Sequence, residues 1–143
     1  MKPEKKKTVQ HQHLNQLREA LLGLHKALID SERGEYEKTF GPVESPHVLL
    51  RLLTSDPWFA WLHAFSQLIV AMDESIDGKE PVRKKDLTDF QKEVRRLLRP
   101  SEEGEGFGRE YFESLQRAPD VVLAHAAVLK LLPPRQAKKI KRA

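Results

Sequence analysis

The sequence predicts an all-α protein, arranged as an up-and-down helical bundle of about four main helices plus one or two short helices. Three observations predict this fold class. Leucines recur every three or four residues near the N-terminus, which places them on one face of a helix. A capping side chain followed by proline, a helix-start signal, occurs at Ser45-Pro46 and Asp56-Pro57. The alternation of polar and apolar residues that is typical of half-buried strands is nearly absent.

Length and composition indicate the scale of the bundle. The chain has 143 residues, of which 39% are hydrophobic and 32% are charged. This is enough apolar material for one core and too much for a disordered chain, so we expect a single domain over residues 8–132. The sequence contains no cysteine, which excludes disulfides, thiol nucleophiles and cysteine-based metal sites.

The positive charge lies at the two ends of the chain. The net charge is +4, but residues 1–7 carry +3 and residues 133–143 carry +5, so the residues between them carry −4. We expect a basic, mobile N-terminus and a basic C-terminal tail, both mainly solvated, that offer a weak contact with nucleic acid. Neither end contains an aromatic residue on which a base could stack.

We expect neither a secretory signal nor a membrane span. The N-terminus is basic, but no apolar run follows it. The longest uncharged apolar stretch, residues 57–72, is shorter than the roughly 20 residues that cross a bilayer. These observations predict a soluble, cytoplasmic protein.

The first helix is predicted from about Thr8 to Phe40. Gly41-Pro42 ends it, and Gly34 is expected to mark a bend or an early end. Its apolar stripe consists of five leucines: Leu14, Leu17, Leu21, Leu24 and Leu28.

The next two helices are predicted to begin at the two proline steps. A short helix follows Pro46, and a longer one runs from Pro57 to Asp77. Asp73 lies near the C-terminal end of this third helix, where the helix dipole disfavours an acid. We expect this helix to be the centre of the core because it carries the heaviest apolar surface: Trp58, Trp61, Leu62, Phe65, Leu68, Ile69, Met72 and Ile76.

Three further helices complete the predicted bundle. They cover residues 86–99, a short segment around residues 111–115, and residues 121–132. An acidic, glycine-rich connection at residues 101–108 is expected to be mobile, and its role stays open. The last helix is apolar nearly all round, so we expect it to be buried on most sides.

Two segments of the chain resemble a group of small bacterial proteins of unknown function. They are LLGLHKALIDSERGEYE at residues 21–37 and SPHVLLRLLTSDPWFAWLHAFSQLIVAMDE at residues 45–74. The string DPWFAWL at residues 56–62 is the most specific part. The resemblance implies a bacterial, soluble, helical protein, and it implies no catalytic residue.

Four ionisable residues fall on or beside the apolar faces of three predicted helices. Because burying an unpaired charge is costly, we expect them to pair with one another or with Arg18, Tyr36 or Tyr111. Two interpretations fit: a structural network that fixes helix register, or a His/carboxylate site for a ligand, a metal ion or acid–base chemistry. No Glu-x-x-His pair, which bundle metal sites use, is present among them. The four residues are His25, Glu32, Asp73 and His125.

The start of the third helix is rich in aromatic residues. Trp58, Phe59 and Trp61 either anchor the core or contribute to a surface for a protein partner. Phe59 is predicted to lie off the main apolar stripe, so part of this set is expected to be exposed. A second copy of the chain is one such partner, in a two-fold dimer.

These features favour a non-enzymatic helical protein that acts through protein–protein interaction, including self-association. The alternative is a ligand- or metal-binding bundle that uses the His/carboxylate cluster, and nucleic-acid contact through the tails is a third hypothesis. The sequence has no phosphate-binding loop, dinucleotide fingerprint or Gly-x-Ser-x-Gly motif. We therefore assign no cofactor and no catalytic residue.

Overall fold

Helices account for all the regular structure of residues 8–134, the part of the chain that the computed structural model describes. No strand occurs within these residues, so the all-α prediction is confirmed. The predicted basic ends, apart from Pro133 and Pro134, lie outside the described residues. The elements are α1 (Val9–Phe40), α2 (Pro46–Ser55), a 3-10 helix (Pro57–Leu62), α3 (His63–Asp77), α4 (Lys84–Leu97), α5 (Phe107–Arg117) and α6 (Pro119–Lys130).

The central helix is α1, not the tryptophan-bearing helix that the sequence predicted. Helix α1 contacts α3, α4, α5, α6 and the 3-10 helix. All five leucines of its predicted stripe are buried, because these neighbours pack along the whole stripe. The side chain of Thr8 caps the helix by accepting a hydrogen bond from the His11 amide at 3.0 Å.

Helix α1 ends at Gly41, as predicted, but Gly34 does not end it early. Gly41 has a φ of +89°, a conformation that side chains with a Cβ rarely adopt. Its amide donates to the carbonyl of Glu37 at 2.9 Å. The Glu37 carboxylate in turn accepts a hydrogen bond from the Val43 amide at 3.0 Å, which turns the chain towards α2.

Both proline steps start helices, as predicted. The Ser45 hydroxyl accepts a hydrogen bond from the Val48 amide at 3.2 Å, and the Asp56 carboxylate accepts one from the Trp58 amide at 2.8 Å. After Asp56 the chain first forms a 3-10 turn, in which the Phe59 amide bonds to the Asp56 carbonyl three residues back. The predicted third helix therefore consists of two segments, and α3 proper begins at His63.

Three helix starts lie earlier than predicted, and that of α5, at Phe107, lies inside the predicted connection at residues 101–108. Helix α4 begins at Lys84, because the Asp86 carboxylate bonds back to the Arg83 amide at 2.9 Å from the third helical position. Helix α6 begins at Pro119, whose ring suits the first turn of a helix, so Asp120 lies inside the helix and does not cap it.

Helix α6 is buried on one side only, so the expectation that it is buried on most sides is wrong. Val121 and Val128 are fully buried, whereas Leu123 is 70% exposed and Val122 is 44% exposed. Helix α6 packs against α1 and α5. No element of residues 8–134 covers its opposite side.

Within residues 8–134, no helix has both the length and the apolar character needed to cross a membrane.

Candidate functional site

His25 of α1 makes its polar contact with α3. Its Nε2 atom lies 3.0 Å from the hydroxyl oxygen of Ser66, and its ring stacks on Phe65 with 5.4 Å between ring centroids. Burial lowers the pKa of His25 below its ordinary value. The neutral imidazole therefore serves as a polar contact between two packed helices.

Asp73 of α3 forms an ion pair with Arg18 of α1. The Arg18 Nη1 atom donates to the Asp73 carboxylate at 2.9 Å, and Nη2 donates to the side chain of Asn15 at 2.7 Å. The guanidinium charge offsets the unfavourable interaction between the Asp73 carboxylate and the C-terminal dipole of α3. This pair explains the acid at an otherwise unsuitable position.

His125 of α6 bonds to Tyr111 of α5. The Tyr111 hydroxyl lies 2.5 Å from His125 Nδ1. Burial raises the pKa of Tyr111 and lowers the pKa of His125. Both groups are therefore neutral, and the phenol hydroxyl and the imidazole share one hydrogen bond.

Glu32 of α1 is 4% exposed and pairs with Arg117 of α5. The Arg117 Nη2 atom donates to the Glu32 carboxylate at 2.7 Å and to the Ser31 hydroxyl at 3.1 Å. Because the carboxylate is buried, this charge-assisted pair is the polar contact that joins α1 to α5.

The four predicted polar residues thus lie in four separate contacts. Two of their partners, Arg18 and Tyr111, are among those that the sequence suggested; the third, Tyr36, packs instead against Phe40, Trp58 and Phe59. Within the described part of the chain, no three histidine, aspartate or glutamate side chains are grouped so that they could hold a metal ion. The structure does not bring the four together as one site.

A cleft of about 520 Å³ opens between α1, the 3-10 helix and α5. The side chains that line the cleft are spaced along each helix so that they point to the same side. Glutamates lie three residues apart on one face of each of two α-helices, and the tryptophans lie three apart on a 3-10 helix, where side chains at that spacing are aligned. The residues that border the cleft are Glu32, Glu35, Pro57, Trp58, Trp61, Gly106, Glu110, Glu113 and Arg117.

Three of the four glutamates in the cleft have a cationic partner. Glu32 pairs with Arg117. Glu35 accepts a hydrogen bond from Lys38 at 2.9 Å, and the Lys38 ammonium lowers the pKa of Glu35. Glu113 pairs with Arg109 at 3.0 Å.

Glu110 is the exception among the acids of the cleft. Its carboxyl group makes no ion pair and no hydrogen bond with another side chain within residues 8–134. Burial, together with repulsion from Glu32 and Glu113, raises the pKa of Glu110 above its ordinary value and outweighs the attraction of Arg117 and Arg109. Within the described chain, Glu110 is therefore the one glutamate of the cleft that no cation contacts directly, although Arg117 and Arg109 lie close enough to attract it.

The structure separates the three aromatic candidates. Phe59 is fully buried in the core, so its predicted exposure is not observed. Trp58 and Trp61 are half-buried and border the cleft. Their indole N–H groups are buried and have no hydrogen-bond acceptor among the described residues. Trp58 and Trp61 are thus the two members of the set that contribute to a surface feature.

No protein-family model, curated protein or solved structure matches the chain at a significant level. The function must therefore be inferred from the geometry of the cleft and of the exposed surface.

The residues that sequence reasoning missed are those of α5. Glu110, Glu113 and Arg117 share one face of this helix at spacings of three and four residues, a signal that was present in the sequence. Such a face is also typical of a solvated helix surface. Only the packing of α5 beside Glu32 and the tryptophans shows that this face lines a cleft and is not simply a solvated helix surface.

Removing Arg117 is expected to destabilise the fold because it leaves the buried Glu32 carboxylate unpaired. Arg117→Ala should lower the free energy of unfolding by about 2 kcal/mol. The double variant Glu32→Leu/Arg117→Leu should lose less, since it removes both charges. Urea denaturation measures both values. As a control, Arg96→Ala, which breaks an exposed pair with Glu93, should cost less than about 1 kcal/mol. Equal losses for Arg117→Ala and Arg96→Ala would contradict a buried pair.

Stability should fall as the pH is lowered from about 7.5 to about 6. The folded-state pKa of His125 is depressed, so its stabilising contribution is complete above its ordinary value of 6.5 and is lost as the pH falls below it. His125→Gln should make this fall smaller, because it removes a group that takes up a proton more readily in the unfolded chain than in the folded one. Protonation of Glu110, whose pKa is raised, changes stability in the opposite direction at lower pH. The wild type and His125→Gln are therefore compared between about pH 6 and about pH 7.5. An unchanged pH dependence in His125→Gln would argue against a buried neutral imidazole.

Proposed function

We propose that this protein is a non-enzymatic binding protein that acts through protein–protein interaction, and that its cleft receives a basic side chain of the partner. The observation that supports this most strongly is the position of Glu110. Its carboxylate, which no cation of the described chain contacts directly, lies in a cleft that is bordered by both tryptophans of the sequence. A lysine ammonium or an arginine guanidinium is the group that complements this combination.

Charge is the first reason for a cationic group. Glu110 is held near Glu32 and Glu113 without a cation of its own, which disfavours the ionised form. A cation that enters the cleft would relieve this repulsion, and its hydrogen bond to a carboxylate would contribute about 1.5–3 kcal/mol. Unfavourable charge that a ligand can neutralise is typical of binding sites.

The aromatic wall is the second reason. Cations bind to the faces of tryptophan rings, with ammonium and guanidinium groups about 6 Å or less from the ring centroid. Trp58 and Trp61 are held in place by edge-on contacts, Trp58 with Tyr36 at 5.8 Å and Trp61 with Phe107 at 5.2 Å between centroids. Rigid aromatic residues of this kind are common in the energetic centres of protein interfaces.

We also propose that the helices follow one another up and down around α1. The contacts of α1 with α3, α4, α5 and α6 support this order. Short connections, such as the single residue Ala118 between α5 and α6, are compatible with it. In this arrangement the cleft lies on the outside of the bundle, where α5 and the 3-10 helix flank the C-terminal half of α1.

Tryptophan fluorescence tests the proposal directly, because Trp58 and Trp61 are the only tryptophans of the sequence. We expect a short arginine-containing peptide to change the emission with a saturable dependence on concentration. A matched peptide with citrulline, the neutral analogue of arginine, should leave it unchanged. Agmatine, which carries the same guanidinium without a peptide, distinguishes a partner protein from a small ligand: binding of agmatine as tight as that of the peptide would favour a small organic cation.

A pair of isosteric variants locates the binding group. Glu110→Gln should weaken peptide binding about tenfold or more, since it removes one ionic hydrogen bond. Glu74→Gln, at an exposed position on α3, should bind the peptide as the wild type does. Equal affinity of the two variants, or equal binding of the arginine and citrulline peptides, would refute the proposal.

A further inference from the structure

We propose that the exposed side of α6 is a contact between two copies of this chain, packed antiparallel about a two-fold axis level with residue 125. This interface and the proposed partner cleft meet at Arg117, which borders both the cleft and the groove beside α6. The interface is a second proposed function of the protein, and it is tested with residues other than those that test the cleft.

Between its charged ends, helix α6 is apolar nearly all round. A helix that is hydrophobic all round is normally buried all round. Here α1 and α5 cover the side that carries Val121 and Val128, but Leu123 on the other side is 70% exposed. Exposed apolar surface of this kind on a helix indicates a partner.

The exposed side continues beyond α6 itself. Residues of α5 and α6 border a groove of about 460 Å³ that is lined by Leu115, Gln116, Arg117, Pro119, Val122 and Leu123. The apolar surface therefore extends across the junction of the two helices. A partner that covered α6 would also cover this groove.

The charged residues of α6 lie at its two ends. Asp120 lies in the first turn and Lys130 in the last turn, and both are exposed. When two copies of α6 pack antiparallel with residue 125 opposite residue 125, each Asp120 lies beside Lys130 of the second copy. Two complementary ion pairs then close the two ends of the interface.

In the same antiparallel register, large side chains of one copy lie opposite small side chains of the other. Leu123 of one copy lies opposite Ala127 of the other, and the two-fold axis repeats this contact. The exposed Ala126 and Ala127 leave room for the helices to approach each other to about 8–10 Å between axes. Antiparallel helices also place their dipoles in a favourable orientation. These features select a second copy of this chain over an unrelated apolar helix.

Sedimentation equilibrium of the full chain tests this interface. We expect the wild type to be a dimer at about 100 µM, and Leu123→Asp to be a monomer. The control is Leu50→Asp, which places the same charge at a site on α2 that is 60% exposed, and it should remain a dimer. A monomeric wild type, or loss of the dimer in both variants, would overturn the proposal.

Charge reversal tests the register independently of Leu123. Asp120→Lys and Lys130→Asp should each weaken dimerisation about tenfold, because each single change replaces two attractive pairs by two repulsive ones. The double variant restores both pairs with reversed sign and should dimerise within about threefold of the wild type. A double variant that is weaker than either single variant would contradict the antiparallel register, and circular dichroism verifies that each variant is folded.

Discussion

The structure depends on one constraint: a polar or charged side chain beside the packed face of α1 needs a hydrogen-bond or ion-pair partner on a neighbouring helix. Helices α3, α4, α5 and α6 pack against α1. The polar residues at the edges of its apolar stripe therefore lie close to these neighbouring helices. An unpaired charge at the buried Glu32 would cost about 2 kcal/mol. Arg18 therefore meets Asp73, His25 meets Ser66, and Glu32 meets Arg117. Each contact joins α1 to a different point on its neighbours.

Glu110 departs from this constraint, and its departure connects the fold to the proposed function. Arg117, the arginine that lines the cleft, pairs with Glu32 and Glu35, so Glu110 stays without a cation in direct contact. Natural proteins are not at their stability optimum, and an unfavourable group is commonly retained where function needs it. In the proposed complex the partner supplies the missing cation. The exposed side of α6 is a comparable case for apolar surface, because no element of the described chain covers it. In the proposed dimer, the second copy of the chain covers it.

Much of the fold could be predicted from the sequence because its signals are local. The leucine stripe depends only on helical spacing, and Ser45, Asp56 and Gly41 act on amides and dihedral angles within a few residues. The partners in the core could be predicted only in part, since they depend on how helices cross. Arg18 was a candidate for Asp73, but nothing local indicates that Arg117 meets Glu32, which lies 85 residues away. The cleft could not be predicted for the same reason: the acids of α5 have the pattern of a solvated face until α1 and the tryptophans lie beside them.

The central claim is that the cleft contains a carboxylate that the described chain leaves without a cation in direct contact. Its most direct test is a carbon-13 NMR titration of the glutamate side-chain carboxyls, with Glu110→Gln used to assign the resonance. The account predicts that the pKa of Glu110 lies above the ordinary value of 4.5, because the group is buried and is repelled by Glu32 and Glu113. A pKa of Glu110 at or below 4.5 would mean that a cation already balances it, and it would contradict the account.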